Sequence, residues 1–233
     1  MSKVIRIPKS VFLRLQKHAE PLVDTPANVI ERLLDFYEEH NEEDEMFKSS
    51  EVNENRERDS EALDFDIFLA PASEENIKTS IKGSVHLSTA KKYLSSEQFE
   101  SLSESLGENI SFHCWAMNEN SRAYYRTMKK NDYVLFKITG SGFFNFVGKV
   151  IYKFENEDFG QALWDVTPGK PWELIFVLDE IKPIKIDRVK MVEAFGYKSN
   201  YDVPGFRRVT TDHVEKMLAK YGSIDQMIDQ LSE

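Results

Sequence analysis

One cysteine, Cys114, serves a chain of 233 residues, so no internal disulfide can form and a reducing compartment is expected. No window approaches the roughly 18 consecutive apolar residues that a membrane span requires. The opening MSKVIRIPKS has no apolar run of signal-peptide length. A soluble, cytoplasmic protein without a membrane partner is expected. A phosphate-cradling loop is lacking too, because TGSGFF at 139–144 has neither the spacing nor the lysine of one. The histidines are scattered, and with a single Cys they supply no zinc ligand set. His113 adjoins Cys114, but neighbours on a strand point to opposite faces, which rules out a nucleophilic pair. Neither cofactor nor metal is expected.

Aromatic and apolar residues, at 12% and 41% of the chain, are plentiful enough for a real core. The net charge of −10 speaks against nucleic acid, but its distribution reverses that impression. Residues 1–34 are net basic through Lys3, Arg6, Lys9, Arg14, Lys17 and Arg32. The acidity is concentrated in residues 35–66, so both flanks can meet a polyanion. Composition divides the chain into a compact unit at 1–40, an acidic, aromatic-poor linker at 41–62, and a mixed α/β domain at 63–233.

In the first unit, VIRIP alternates as a strand, and Pro8 suits the entry to a helix whose apolar face is Val11, Leu15 and Ala19. Thr25-Pro26 is a helix N-cap followed by proline, and Ile30, Leu33, Leu34 and Tyr37 form a second apolar face. Forty residues with so small a core are expected to dimerise. This pattern resembles the ribbon-helix-helix DNA-binding family. The resemblance implies a homodimer whose paired strands enter the major groove, with Ser2, Val4 and Arg6 facing the bases and Thr25 at a phosphate-contacting helix start. A dimerisation unit without DNA affinity is the alternative.

In the third region, strands are expected at DFDIFLAPA, 110–117, 132–139, 143–154, 160–166 and 173–186. TGSG at 139–142 reads as a hairpin turn. Helices are expected after Ser95 and over 211–221 and 223–231. Strand 110–117 places Ile110, Phe112, Cys114 and Ala116 on one face, and Ser111, His113, Trp115 and Met117 on the other. A tryptophan beside Ser and His suits the wall of a half-polar cavity. Within the next thirteen residues come amides (Asn118, Asn120), aromatics (Tyr124, Tyr125) and bases (Arg122, Arg126, Lys129, Lys130). Rings stack on nucleobases, amides read base edges, and cations hold phosphates.

The run Trp115, Asn118, Asn120, Tyr124 and Met128-Lys129-Lys130-Asn131-Asp132-Tyr133-Val134-Leu135-Phe136 resembles the EVE/YTH-like branch of the PUA superfamily, as fused to modification-dependent restriction systems. Phe143-Phe144, Val147-Gly148-Lys149-Val150, Ala162-Leu163-Trp164 and Pro171-Trp172 extend the likeness, with Gly196-Tyr197, Gly205-Phe206 and Tyr221-Gly222-Ser223 beyond. Asn131 stands where many members carry glycine. The fold implied for the whole chain is α+β: a small ribbon-helix-helix-like unit plus a PUA-like (EVE/YTH-like) mixed β-barrel with flanking helices. The function implied is recognition of a flipped, modified base in double-stranded DNA, as sensor or recognition component of a defence system alongside a separate nuclease or effector. Trp115 is one pocket wall, and Trp164, Trp172 and Phe144 are candidates for the other. Asn118 and Asn120 would read the base edge, Tyr124 either stacks or reads, and Arg122, Arg126, Lys129 and Lys130 would lie under the DNA backbone. Core packing is the plainer role for Trp164, Trp172 and Phe144, and turn capping for the two asparagines.

Two rivals remain at this stage. Asp165, Glu180 and Lys182 have the Asp…Glu-x-Lys order of PD-(D/E)xK nucleases, in which two carboxylates hold Mg²⁺. The other rival is an RNA-binding or protein-interaction module.

Overall fold

The computed structural model describes residues 63–164, 172–203 and 205–232, together with three single helical positions, Lys9, Phe12 and Ile30. The chain divides into two units, Met1–Glu61 and Ala62–Glu233. Ser2, Val4, Arg6, Thr25 and the acidic segment 41–62 lie outside the described residues.

The described residues of the second unit form seven strands: β1 (Ile67–Ala72), β2 (Val85–His86), β3 (Ser111–Met117), β4 (Tyr133–Ile138), β5 (Phe143–Glu155), β6 (Leu174–Asp187) and β7 (Arg207–Arg208). They form one mixed sheet in the order β2-β3-β6-β5-β4-β1-β7, with β2 and β7 at its ends. Only β1 and β4 run parallel. The connection between them contains α1 (Glu74–Ile77), a π-helical turn (Lys78–Lys82), α2 (Leu87–Ala90), α3 (Ser96–Leu106) and α4 (Arg122–Thr127). The second half carries α5 (Glu157–Leu163), α6 (Arg188–Ala194), α7 (Thr211–Tyr221) and α8 (Ile224–Leu231). The fold is thus α+β, as expected.

Two long strands bend the sheet. Over β5 and β6 the register shifts between Phe144 and Phe146, between Val147 and Lys149, and between Val150 and Tyr152. Each bulge adds twist and turns the side chains that follow. The three buried clusters that result explain the strand composition. Phe68, Phe136, Phe146, Phe176, Trp115 and Met117 converge on one face of the sheet, with Ile77, Ile81 and Tyr125 packed against them. Ile67, Leu69, Leu135, Phe144 and Ile186 pack outward against α6, α7 and α8. Phe112, Cys114, Ala116, Ile175 and Val177 pack outward against α2, α3 and α5. With both faces covered, β1 is buried at every one of its first four residues, which is why its sequence runs apolar without alternation.

Residues 160–166, expected as a strand, instead begin in a helix. Asn156 accepts from the Phe159 amide at 2.8 Å, and Glu157 and Asp158 fill the first turn of α5, both favourable to a helix start. Tertiary packing of Phe159 under Phe112 and Phe154 then outweighs the strand preference of the Phe and Trp residues. The hairpin turn at 139–142 is as expected, with Gly140 and Gly142 at φ 81° and 73°. Asn131 has φ 76°, a left-handed conformation that glycine adopts freely and asparagine tolerates.

Candidate nucleic-acid interface

Alternation along β3 sends Trp115 and Met117 to the face of Phe136 and Phe176, and Phe112, Cys114 and Ala116 to the opposite face, under the helices. Trp115 meets Phe136 edge-on at 5.2 Å between ring centroids. Its other aromatic neighbour is Trp172, 6.3 Å away and tilted by 42°. Trp172 is half-buried, and its backbone is fixed by α5. A Cβ on Gly160 would come within 2.1 Å of the Trp172 carbonyl oxygen, so the helix can lie this close only with glycine there.

The ring contacts continue through the buried cluster on this face of the sheet. Trp115 pairs across the ladder with Phe176, whose ring lies 5.9 Å from Phe206. Phe206 in turn stacks on Phe68 at 5.3 Å. Tyr124 closes this end, 6.4 Å from Phe206, and its hydroxyl accepts from Arg207 at 2.6 Å.

Helix α4 carries Tyr124 and is held firmly. The Tyr125 hydroxyl donates to the Ile175 carbonyl at 3.2 Å. Lys153 Nζ donates to the Tyr125 and Met128 carbonyls at 2.7 and 2.6 Å, satisfying the helix C-terminus with a cation. Burial lowers the Lys153 pKa from its usual value. Below the helix, Asp132 is fully buried, and its two oxygens accept from the Asp66 and Lys129 amides at 2.8 and 2.7 Å. Burial outweighs those two bonds and raises its pKa to about 6.

Of the residues singled out from sequence, Trp115 and Trp172 come together, and Tyr124 lies beside Phe206. Phe144 does not join them. It is fully buried on the opposite face of the sheet, under the C-terminal helices, so it cannot be a wall opposite Trp115. Trp164 is also no free wall: it is buried in the outer cluster below α5, with its ring 6.1 Å from Trp172. Asn118 accepts from the Asn120 amide at 3.1 Å and so starts the turn after β3, while Asn120 itself is exposed. Arg122 is not poised for phosphate, because Glu119 at 2.6 Å and Glu155 at 2.8 Å already share its guanidinium. Arg126, Lys129 and Lys130 are exposed, as a backbone-contacting role requires. The adjacent Arg207 and Arg208 have separate partners: Arg208 pairs with Asp66 at 2.9 Å, and Arg207 donates to the Tyr124 hydroxyl. Phe206 and Lys153 carry more of the site than their sequence context announced. Only the pairing of distant strands brings them to it.

Two of the three residues of the Asp…Glu-x-Lys pattern are described, and each has an ion-pair partner outside the pattern. Glu180 pairs with Lys149 at 3.2 Å and Lys182 with Asp225 at 3.0 Å, while Asp165 lies outside the described residues. Among the described residues no group of three or more His, Cys, Asp or Glu side chains converges on a metal-sized site. No helix among them is long and apolar enough to cross a membrane.

No family model matches the sequence, nor does the sequence of any characterised protein. Solved structures do resemble it. The N-terminal domain of Thermococcus gammatolerans McrB, bound to m5C DNA, superposes with a TM-score of 0.52 at 14% identity over 66% of this chain and 96% of that domain. The YTH domain of the Zygosaccharomyces rouxii MRB1 protein, in complex with N6-methyladenosine RNA, superposes less closely, with a TM-score of 0.38 at 13% identity over 68% of this chain and 87% of that domain. The likeness to the McrB domain is one of fold, and it spans nearly the whole of that domain.

Proposed function

We propose that residues 63–233 form an EVE/YTH-like, PUA-superfamily reader that takes a modified base of duplex DNA between Trp115 and Trp172. The observation that carries this reading is the pair of tryptophan rings, 6.3 Å apart. A flat ring held between two walls needs about 7 Å, two contacts of about 3.5 Å each. Opening the cleft by less than an ångström and flattening its tilt therefore admits a base. Extrusion from the duplex costs a few kcal/mol, and stacking contributes about 1–3 kcal/mol per base, so two walls offset it. Support comes also from the fold shared with the McrB domain, which was solved on methylated DNA. Arg126, Lys129 and Lys130 follow the backbone. The ribbon-helix-helix-like unit at 1–40 would dimerise the chain and add groove contacts through Ser2, Val4 and Arg6, with Thr25 at a phosphate. Two weak contacts on one duplex then act together. Such a protein would serve a defence system as its sensor, with cleavage supplied by a separate effector.

The test is affinity for one duplex carrying cytosine, 5-methylcytosine, 5-hydroxymethylcytosine or N6-methyladenine, at fixed salt because phosphate contacts are strongly salt-dependent. Selective binding of one duplex, lost in Trp172→Ala, is the expected result. Equal binding of all four by both proteins would sink the reading, and tighter binding of single-stranded N6-methyladenosine RNA would move it from DNA to RNA.

A further inference from the structure

Among the described residues one carboxylate is fully buried, that of Asp132. A charge loses its hydration on burial, so a buried carboxylate asks for a reason. The partners of this one are two backbone amides, that of Asp66 at 2.8 Å and that of Lys129 at 2.7 Å. The charged side chains around it are Asp66, Lys129 and Lys153. Its carboxyl titrates near 6, so at pH 7.5 it is ionised and both amide bonds are charge-assisted.

What Asp132 fixes is a four-residue turn, Lys129-Lys130-Asn131-Asp132. The Asp132 amide donates back to the Lys129 carbonyl at 3.3 Å and closes it. The Asn131 amide donates to the Val150 carbonyl at 2.8 Å, and the Val150 amide returns a bond to the Asp132 carbonyl at 2.8 Å. Just before the turn, the Met128 carbonyl accepts from Lys153 Nζ at 2.6 Å. The backbone is thus tied at both ends and in the middle, with Asn131 held at φ 76°. The side chains of Lys129 and Lys130 are exposed on it. Lys129 Nζ lies 3.5 Å from the Leu63 carbonyl, a long contact that a phosphate can displace.

A surface turn reverses the chain without a buried carboxylate beneath it, so the extra bonds call for another role. Two lysines on a fixed backbone have less freedom to lose on binding than two on a loose loop. We infer that Asp132 is a positioning residue for the nucleic-acid backbone: it touches no ligand, and it holds the turn that presents Lys129 and Lys130 to the phosphates. This inference rests on the reading in which those two lysines follow the DNA backbone, and it names the group that sets them there.

The test titrates the full-length protein with 5-methylcytosine and unmodified duplexes over a range of salt concentrations at pH 7.5. Each lysine on a phosphate steepens the plot of log affinity against log salt by about one, so Lys129→Ala with Lys130→Ala should flatten it by about two. Asp132→Asn keeps the shape but sets an N–H against one of the two backbone donors. It should flatten the plot by about one to two and weaken both duplexes by the same factor, because phosphate contacts carry no base information. Added to the double lysine variant it should weaken binding no further, since the groups it positions are gone. Asn131→Val strains the same turn at an exposed position, should flatten the plot too, and decides the question if Asp132→Asn does not fold. A wild-type slope in these turn variants would overturn the inference, as would a further loss in the combined variant or a loss confined to the modified duplex. If the wild-type protein does not tell the two duplexes apart, the pocket reading falls, and the slopes still judge Asp132.

Discussion

Trp115 and Phe144 are both large aromatics on long strands of one sheet, and both are almost fully buried. Phe144 sits among Ile67, Leu69, Leu135, Met191 and Phe195, all apolar, under helices that seal it from solvent. Trp115 sits between Phe136 and the half-buried Trp172, three residues before Asn118, which starts the polar turn after β3. Burial does not separate the two residues. Their company does. A ring surrounded only by apolar atoms contributes packing, whereas a ring facing a second ring, with hydrogen-bonding groups at the margin, forms a place where a flat polar molecule can lie.

The largest expected effect breaks the comparison at its structural end. Phe144→Ala removes a fully buried ring and should lower the unfolding free energy by about 3–5 kcal/mol, while the protein that remains folded keeps its nucleic-acid affinity. Chemical denaturation and binding below the unfolding transition check both halves. Trp172→Ala should show the reverse balance. Its half-exposed ring costs less stability, and modified-duplex affinity falls by about 1–3 kcal/mol, a factor of roughly five to two hundred.

Asp132 tests how α4 is tied to the sheet. Its carboxyl titrates near 6 in the folded protein, above the ordinary 3.8. A raised pKa means that folding favours the protonated form. Its stabilising contribution is therefore complete below about pH 4 and is lost as pH rises through about 6. Relative to Asp132→Asn, which cannot titrate, wild-type stability should fall by on the order of 1–3 kcal/mol between pH 4 and 7. A difference between the two proteins that does not change with pH would contradict the burial argument. The smallest effect concerns Asn131 at φ 76°. Asn131→Val should cost about 1–2 kcal/mol, because a β-branched residue is strained there, while Asn131→Gly should be within a few tenths of wild type. Thermal unfolding of the pair gives the sign.

Much of the fold was legible in the sequence because its strands announce themselves. β3, β4, β5 and β6 lie within a residue or two of the expected ranges, and the alternation that put Trp115 opposite Cys114 is present in the structure. What was not legible depends on long-range pairing. Phe143 and Phe144 alternate, and sequence cannot say which faces the core until β4 and β6 fix the register. The bulges that swing β5 and β6 from one cluster to the next leave no local mark. Helix α5 was hidden because Phe159 and Trp164 suggest a strand, although Asn156, Glu157 and Asp158 form a recognisable helix start. Arg122 reads as a phosphate ligand beside its basic neighbours, and only folding brings Glu155 to it, 33 positions away.

The chain has three tryptophans, of which Trp115 and Trp172 wall the proposed cleft and Trp164 packs behind Trp172, which makes intrinsic fluorescence a selective reporter. The most direct test is to titrate the protein with matched modified and unmodified duplexes, following tryptophan emission and the anisotropy of labelled DNA together. A base stacked between Trp115 and Trp172 predicts saturable quenching with the modified duplex alone, at the same concentration at which anisotropy rises. Binding of the modified duplex with no change in tryptophan emission would contradict it.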